Sequence, residues 1–84
     1  MSQLQKMFSQ VLGGRSDANI AFTDLCRLLE RLGFVERTGG SHHIFTHQGV
    51  EERINLQESG TNAKPYQVKQ VRAVIIRYGL EVTR

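Results

Sequence analysis

Three of the 84 residues are histidines, and all three fall in one short run, Ser41-His42-His43-Ile44-Phe45-Thr46-His47. Histidine is the side chain whose ordinary pKa, about 6.5, lets it give and take protons near neutral pH. That run is therefore where positioned acid–base chemistry would sit. Side chains alternate faces along an extended strand. His43, Phe45 and His47 then share one face, and Ser41, His42, Ile44 and Thr46 share the other. An imidazole beside an aromatic ring, with a second histidine on its face, is arranged to meet a substrate. The same spacing also fits hydrogen-bonded surface histidines with no chemical role, and spacing alone does not choose between them.

Other chemistries lack their residues. There is no glycine-rich phosphate loop with a lysine and no dinucleotide fingerprint. No histidine has cysteine partners at zinc-ligand spacing, and the carboxylates are scattered along the chain. Neither a metal nor a cofactor is expected. The single cysteine, Cys26, has no partner for an internal disulfide, which suits a reducing cytosol. It reads as a small buried hydrophobe rather than a reactive thiol.

The elements that must hold the histidine run are legible as periodicities. Leu4, Met7, Phe8, Val11 and Leu12 make one face of an amphipathic helix, stopped by Gly13-Gly14. Residues 15–20 form a connector. A second helix covers roughly 21–32, with Phe22, Leu25, Leu28, Leu29 and Leu32 inward, Arg27, Glu30 and Arg31 outward, and Gly33 closing it. Three strands follow, Phe34 to Thr38, Ser41 to Thr46 and Glu51 to Leu56. Gly39-Gly40 and Gln48-Gly49 supply the tight turns between them. A polar loop over 57–64 leads to Pro65, suited to the first turn of a helix. Val68, Val71, Val74, Ile75 and Tyr78 line that helix's inner side, Gln67, Lys69, Gln70, Arg72 and Arg77 its outer side, and Gly79 ends it.

Tight turns make consecutive strands antiparallel. The expected fold class is α+β: a three-stranded antiparallel sheet with helices on one face, double-stranded RNA-binding-like (α-β-β-β-α), plus an extra N-terminal helix. Residues 1–20 are the helical extension and connector, and 21–84 the main domain.

A net charge of +3 is mild, but its distribution is uneven. From Lys64 onward stand Lys64, Lys69, Arg72, Arg77 and Arg84 against one acid, Glu81. A basic C-terminal segment suits a polyanionic partner, and equally a solvated helix face. The opening Met1-Ser2-Gln3-Leu4-Gln5-Lys6 does not resemble a secretory leader, and no apolar run is long enough to span a membrane. A cytoplasmic location is expected.

Several of these pieces together carry a family resemblance. Leu28-Leu29-Glu30-Arg31-Leu32-Gly33-Phe34 ends a helix. Gly40-Ser41-His42-His43-Ile44-Phe45 follows, then a glycine-turned strand pair and the helix Val68-Lys69-Gln70-Val71-Arg72-Ala73-Val74-Ile75. From Leu25 to Leu80 the chain resembles the HicA family of toxins, the Gly-Ser-x-His segment being its most specific signature. Residues 1–20 are additional to the family pattern.

The resemblance implies a histidine-dependent, metal-independent endoribonuclease, an mRNA interferase of toxin–antitoxin systems and stress responses, neutralised by a HicB-like antitoxin. It implies His43, fourth in Gly-Ser-x-His, as the catalytic residue. His42 and His47 are candidates to assist it. A neutral imidazole would take the proton of the RNA 2′-OH, or an imidazolium would protonate the leaving 5′ oxygen. Phosphate contacts are expected from Arg37, Ser41, Lys64, Lys69 and Arg72, with the start of the last helix a natural anion site. The alternatives are a non-catalytic RNA-binding module and an antitoxin-partner protein on the same fold.

Overall fold

The computed structural model describes residues 3–82. Its elements are α1 (Gln3–Gly13), a 3₁₀ turn (Asp17–Asn19), α2 (Phe22–Arg31), β1 (Val35–Gly39), β2 (His42–His47), β3 (Val50–Gln57) and α3 (Pro65–Tyr78). The strands pair antiparallel in the order β1-β2-β3. The class is the expected α+β, with α-β-β-β-α following a leading helix. No helix among the described residues is long and apolar enough to cross a membrane.

The helical stripes bury as their spacing predicts. Phe22, Leu25, Leu28 and Leu29 of α2 meet Val68, Val71, Val74 and Ile75 of α3 in one core, above Phe45, Ile54 and Leu56 from the sheet. Burying each of these side chains contributes about 1.5–3 kcal/mol before the entropic cost of ordering it. Val11 of α1 is fully buried in the same core. The other sheet face is wetter: Val35, Arg37, Thr46, Arg53 and Asn55 all lie exposed on it.

The first hairpin differs by one residue from the sequence reading. β1 runs through Gly39, which pairs with His42, so the two-residue turn is Gly40-Ser41 rather than Gly39-Gly40. Gly40 carries the positive φ, +60°, that a turn of this kind needs. Phe34 precedes the strand and is buried. A register shift between Phe45 and His47 bends the β2–β3 pairing.

Two side chains assigned to the outside are not there. Gln67 is buried: its Oε1 accepts the Lys64 N–H at 3.1 Å, and its Nε2 donates to the Gln57 carbonyl at 3.0 Å. A buried amide with both ends satisfied joins the end of β3 to the start of α3. Arg72 is drawn in by Asp17, with N···O distances of 3.0 and 3.2 Å, and donates to the Val11 carbonyl at 3.1 Å. At the far end of α3, Tyr78 donates to Glu52 at 2.5 Å and Arg77 pairs with Glu52 at 3.0 Å.

Candidate functional site

Strand alternation puts His43, Phe45 and His47 on the helix-facing side of the sheet and leaves His42 exposed on the opposite side. Phe45 is fully buried between the two inward histidines. His43 and His47 therefore occupy separate surroundings, about 13 Å apart along the strand at about 3.3 Å per residue. His47 packs against Phe34 with the rings tilted at 60° and their centroids 5.0 Å apart, and its Nδ1 accepts the Gly49 N–H at 2.8 Å. It borders a cleft of about 590 Å³ shared with Gly33, Val35, Thr46 and Gln48.

His43 is held on three sides. Thr38 is its cross-strand partner in β1, so Glu36, two residues back, is its diagonal neighbour on the same face. His43 Nδ1 and Glu36 Oε2 are hydrogen-bonded. Thr38 Oγ1 donates to the same carboxylate oxygen at 3.1 Å. On the other side, His43 Nε2 lies 3.5 Å from Glu58 Oε1. Over the top, the Phe22 ring meets the imidazole edge-on, centroids 5.0 Å apart at 67°.

Backbone pairing brings these groups together. The Glu58 N–H donates to the Ser41 carbonyl at 2.9 Å, carrying the β2–β3 pairing past the end of β3. The loop that follows is laced to the start of α2: Phe22 N–H donates to the Thr61 carbonyl at 2.9 Å, and Ala63 N–H to the Ile20 carbonyl at 2.8 Å. Phe22 is thereby fixed above His43. The His43 side chain keeps 16% of its exposure, so the imidazole is hemmed in but reachable from solvent.

Cys26, one turn into α2, completes the surroundings. Its sulfur, a Glu36 oxygen and a His43 ring nitrogen lie within 4.8 Å of one another. Burial, reinforced by the negative charges of Glu36, Glu30 and Glu58, pushes the Cys26 thiol up to about 12. The thiol is therefore protonated and a poor nucleophile at neutral pH. No spacing along the chain marks this trio as a ligand set, because folding gathers it from a helix and two strands.

The cations divide. Arg37 faces away from His43, on the outer side, where it lines a hollow of about 460 Å³ with Ile44, Thr46 and Arg53. Arg72 is engaged by Asp17. Lys64, at the N-cap of α3, and Lys69, within it, are exposed, and Ser41 is exposed in the hairpin turn. Arg84 lies outside the described residues. Glu36 and Glu58, the two groups touching the imidazole nitrogens, are the site residues that the sequence reading missed.

Comparisons with curated proteins and with solved structures found no match. Residues 22–80 match the family model described as the HicA toxin of bacterial toxin-antitoxin. That stretch runs from Phe22, above the imidazole, through the histidine strand to the end of α3. The chain belongs to the HicA toxin family, as the toxin component of a toxin–antitoxin pair.

Proposed function

We propose that the chain is an RNA-cleaving toxin, an mRNA interferase in which His43 is the catalytic acid/base and a HicB-like antitoxin is the neutralising partner. The observation that carries this reading is the clasp of Glu36 on His43 Nδ1. A carboxylate can only accept a hydrogen bond, and Glu36 is the nearer of the two that face the ring, so the neutral imidazole carries its proton on Nδ1 and keeps its lone pair at Nε2, where Glu58 Oε1 stands 3.5 Å away.

Nε2 takes the proton of an RNA 2′-OH. O2′ attacks the adjacent phosphorus and the P–O5′ bond breaks. The leaving oxygen collects a proton from the imidazolium or from water, giving a 2′,3′-cyclic phosphate and a 5′-hydroxyl. No metal enters these steps. Glu58, beside Nε2, accepts a hydrogen bond from the proton once it has arrived. Two carboxylates near the scissile phosphate repel it, so the reaction needs cations. Exposed Lys64 and Lys69 supply them, and Ser41 offers a hydroxyl at the hairpin turn.

The test is cleavage of unstructured RNA by purified protein in EDTA, beside His43→Ala. Wild type cuts. The variant binds but cuts slower by about 10²–10⁴-fold, the usual share of positioned acid–base catalysis. A variant that cuts as fast as wild type removes His43 from the mechanism. A second reading, RNA binding without cleavage, is favoured by Arg37 and Arg53 lying together on the outer sheet face. Tight binding with RNA left intact by wild type selects it.

A further inference from the structure

Cys26, Glu36 and His43 offer a thiol sulfur, a carboxylate oxygen and an imidazole nitrogen within 4.8 Å of one another. These are the three ligand types that Zn²⁺ accepts, at about 2.0–2.3 Å and in tetrahedral array. Ligands of one tetrahedral ion stand closer together than 4.8 Å, so side-chain adjustments of about an ångström would close the set around it. Each ligand comes from a packed element, α2, β1 or β2, and Glu36 and His43 already lie side by side. The fourth position would belong to water.

We infer that Cys26, Glu36 and His43 form a binding site for Zn²⁺, and that zinc held there switches off the chemistry of His43. As the ion binds, the thiol releases its proton to solvent and the S–Zn bond forms, as happens when a metal deprotonates a coordinating thiol; the hydrogen bond between His43 and Glu36 opens, and the imidazole keeps its proton on the nitrogen that does not ligate. An imidazole ligated through one nitrogen no longer cycles between its neutral and protonated forms. The thiol makes the site selective: hard, oxygen-seeking Mg²⁺ and Ca²⁺ gain nothing from sulfur, whereas Zn²⁺ does. The inhibition rests on the cleavage reaction proposed above. The binding does not.

Binding is read first, without RNA. Co²⁺ as a spectroscopic stand-in for Zn²⁺ is titrated into the full chain, kept reduced with a non-coordinating phosphine. A thiolate-to-cobalt charge-transfer band saturating at one ion per chain, and bleached by Zn²⁺, is expected. Cys26→Ala should lose the band. Glu36→Gln should bind more weakly by at least the roughly 10–100-fold that losing even an outer partner of a ligand costs. Zn²⁺ should raise the melting temperature of wild type and leave that of Cys26→Ala unmoved. Circular dichroism of the variants, with Cys26→Ser as a second small replacement, confirms that lost binding is not lost folding.

RNA cleavage is read second. Zn²⁺ should suppress wild type at least tenfold, Mg²⁺ should not, and the rate of Cys26→Ala, whatever its own basal value, should be the same with Zn²⁺ as without it. Absence of the band from folded wild type, or its persistence in Cys26→Ala, overturns the site. Zinc-loaded protein that cuts as fast as metal-free protein overturns the switch. Zinc binding through Cys26 in a protein that never cuts RNA keeps the site and removes the proposed toxin chemistry.

Discussion

Arg72 and Asp17, 55 residues apart in sequence, meet as a two-point ion pair, each guanidinium nitrogen opposite one carboxylate oxygen at 3.0 and 3.2 Å. The same guanidinium holds the Val11 carbonyl near the end of α1. One side chain of α3 thus fastens both the leading helix and the 3₁₀ turn. Arg72→Ala removes both hydrogen bonds to Asp17 and the one to the Val11 carbonyl, so its expected cost is about 2 kcal/mol, the range for hydrogen bonds to charged groups. A thermal melt checks it, at about 4–8 °C per kcal/mol for a domain of this size. The salt dependence of RNA binding should stay as in wild type. A salt slope lower by about 1 would instead assign Arg72 to a phosphate.

Gln67→Leu tests the buried amide. It removes the partners of the Lys64 N–H and the Gln57 carbonyl together, and each unsatisfied buried group costs about 1–3 kcal/mol. A fall in the urea midpoint equivalent to about 2–3 kcal/mol is expected. An unchanged midpoint would mean that water takes over both bonds.

Glu36→Gln separates holding the imidazole from being it. The substituted side chain offers an amide in place of a full negative charge and no longer dictates which imidazole nitrogen carries the proton. Loss of alignment of this order costs about 10²-fold in kcat, with KM little changed. A rise in KM at constant kcat would instead make Glu36 a substrate contact.

Cys26 gives an alkaline signature. Unfolded, its thiol ionises near its ordinary 9.0, whereas in the fold burial and nearby carboxylates delay this to about 12. Between those values the unfolded state binds fewer protons, so the thiol's contribution, full below pH 9, is lost as pH rises toward 12. Urea midpoints should therefore fall more for wild type than for Cys26→Ala as pH goes from about 8 to about 10.5. Parallel curves would show that the thiol ionises in the fold as it does in the open chain.

The elements were legible in the sequence because their apolar residues repeat at helical or strand period, from the α2 stripe Phe22–Leu32 to Ile54 and Leu56. No motif marks the acidic clasp, although one part of it is within reach of strand geometry. Moving the first turn from Gly39-Gly40 to Gly40-Ser41 shifts every cross-strand pair by two in the sum of its residue numbers. Glu36 then passes from directly opposite His43 to diagonal from it, without changing face. Either register puts a carboxylate beside that imidazole. Glu58 was out of reach of such reasoning, since its position depends on how the loop after β3 is tied to Ser41 and to the start of α2. Gln67 and Arg72 depart from the helical pattern for a related reason: helical spacing separates wet from dry but does not show that a segment distant in sequence covers a wet position.

The seating of Val11 has a practical side for anyone shortening the gene to the family-matching stretch. Without its first helix, the trimmed fragment would present an open greasy socket, and on the neighbouring helix a guanidinium whose counter-charge has been cut away. Such a fragment should precipitate or stick to itself during purification, and a dead preparation of it would say nothing about whether the intact toxin works.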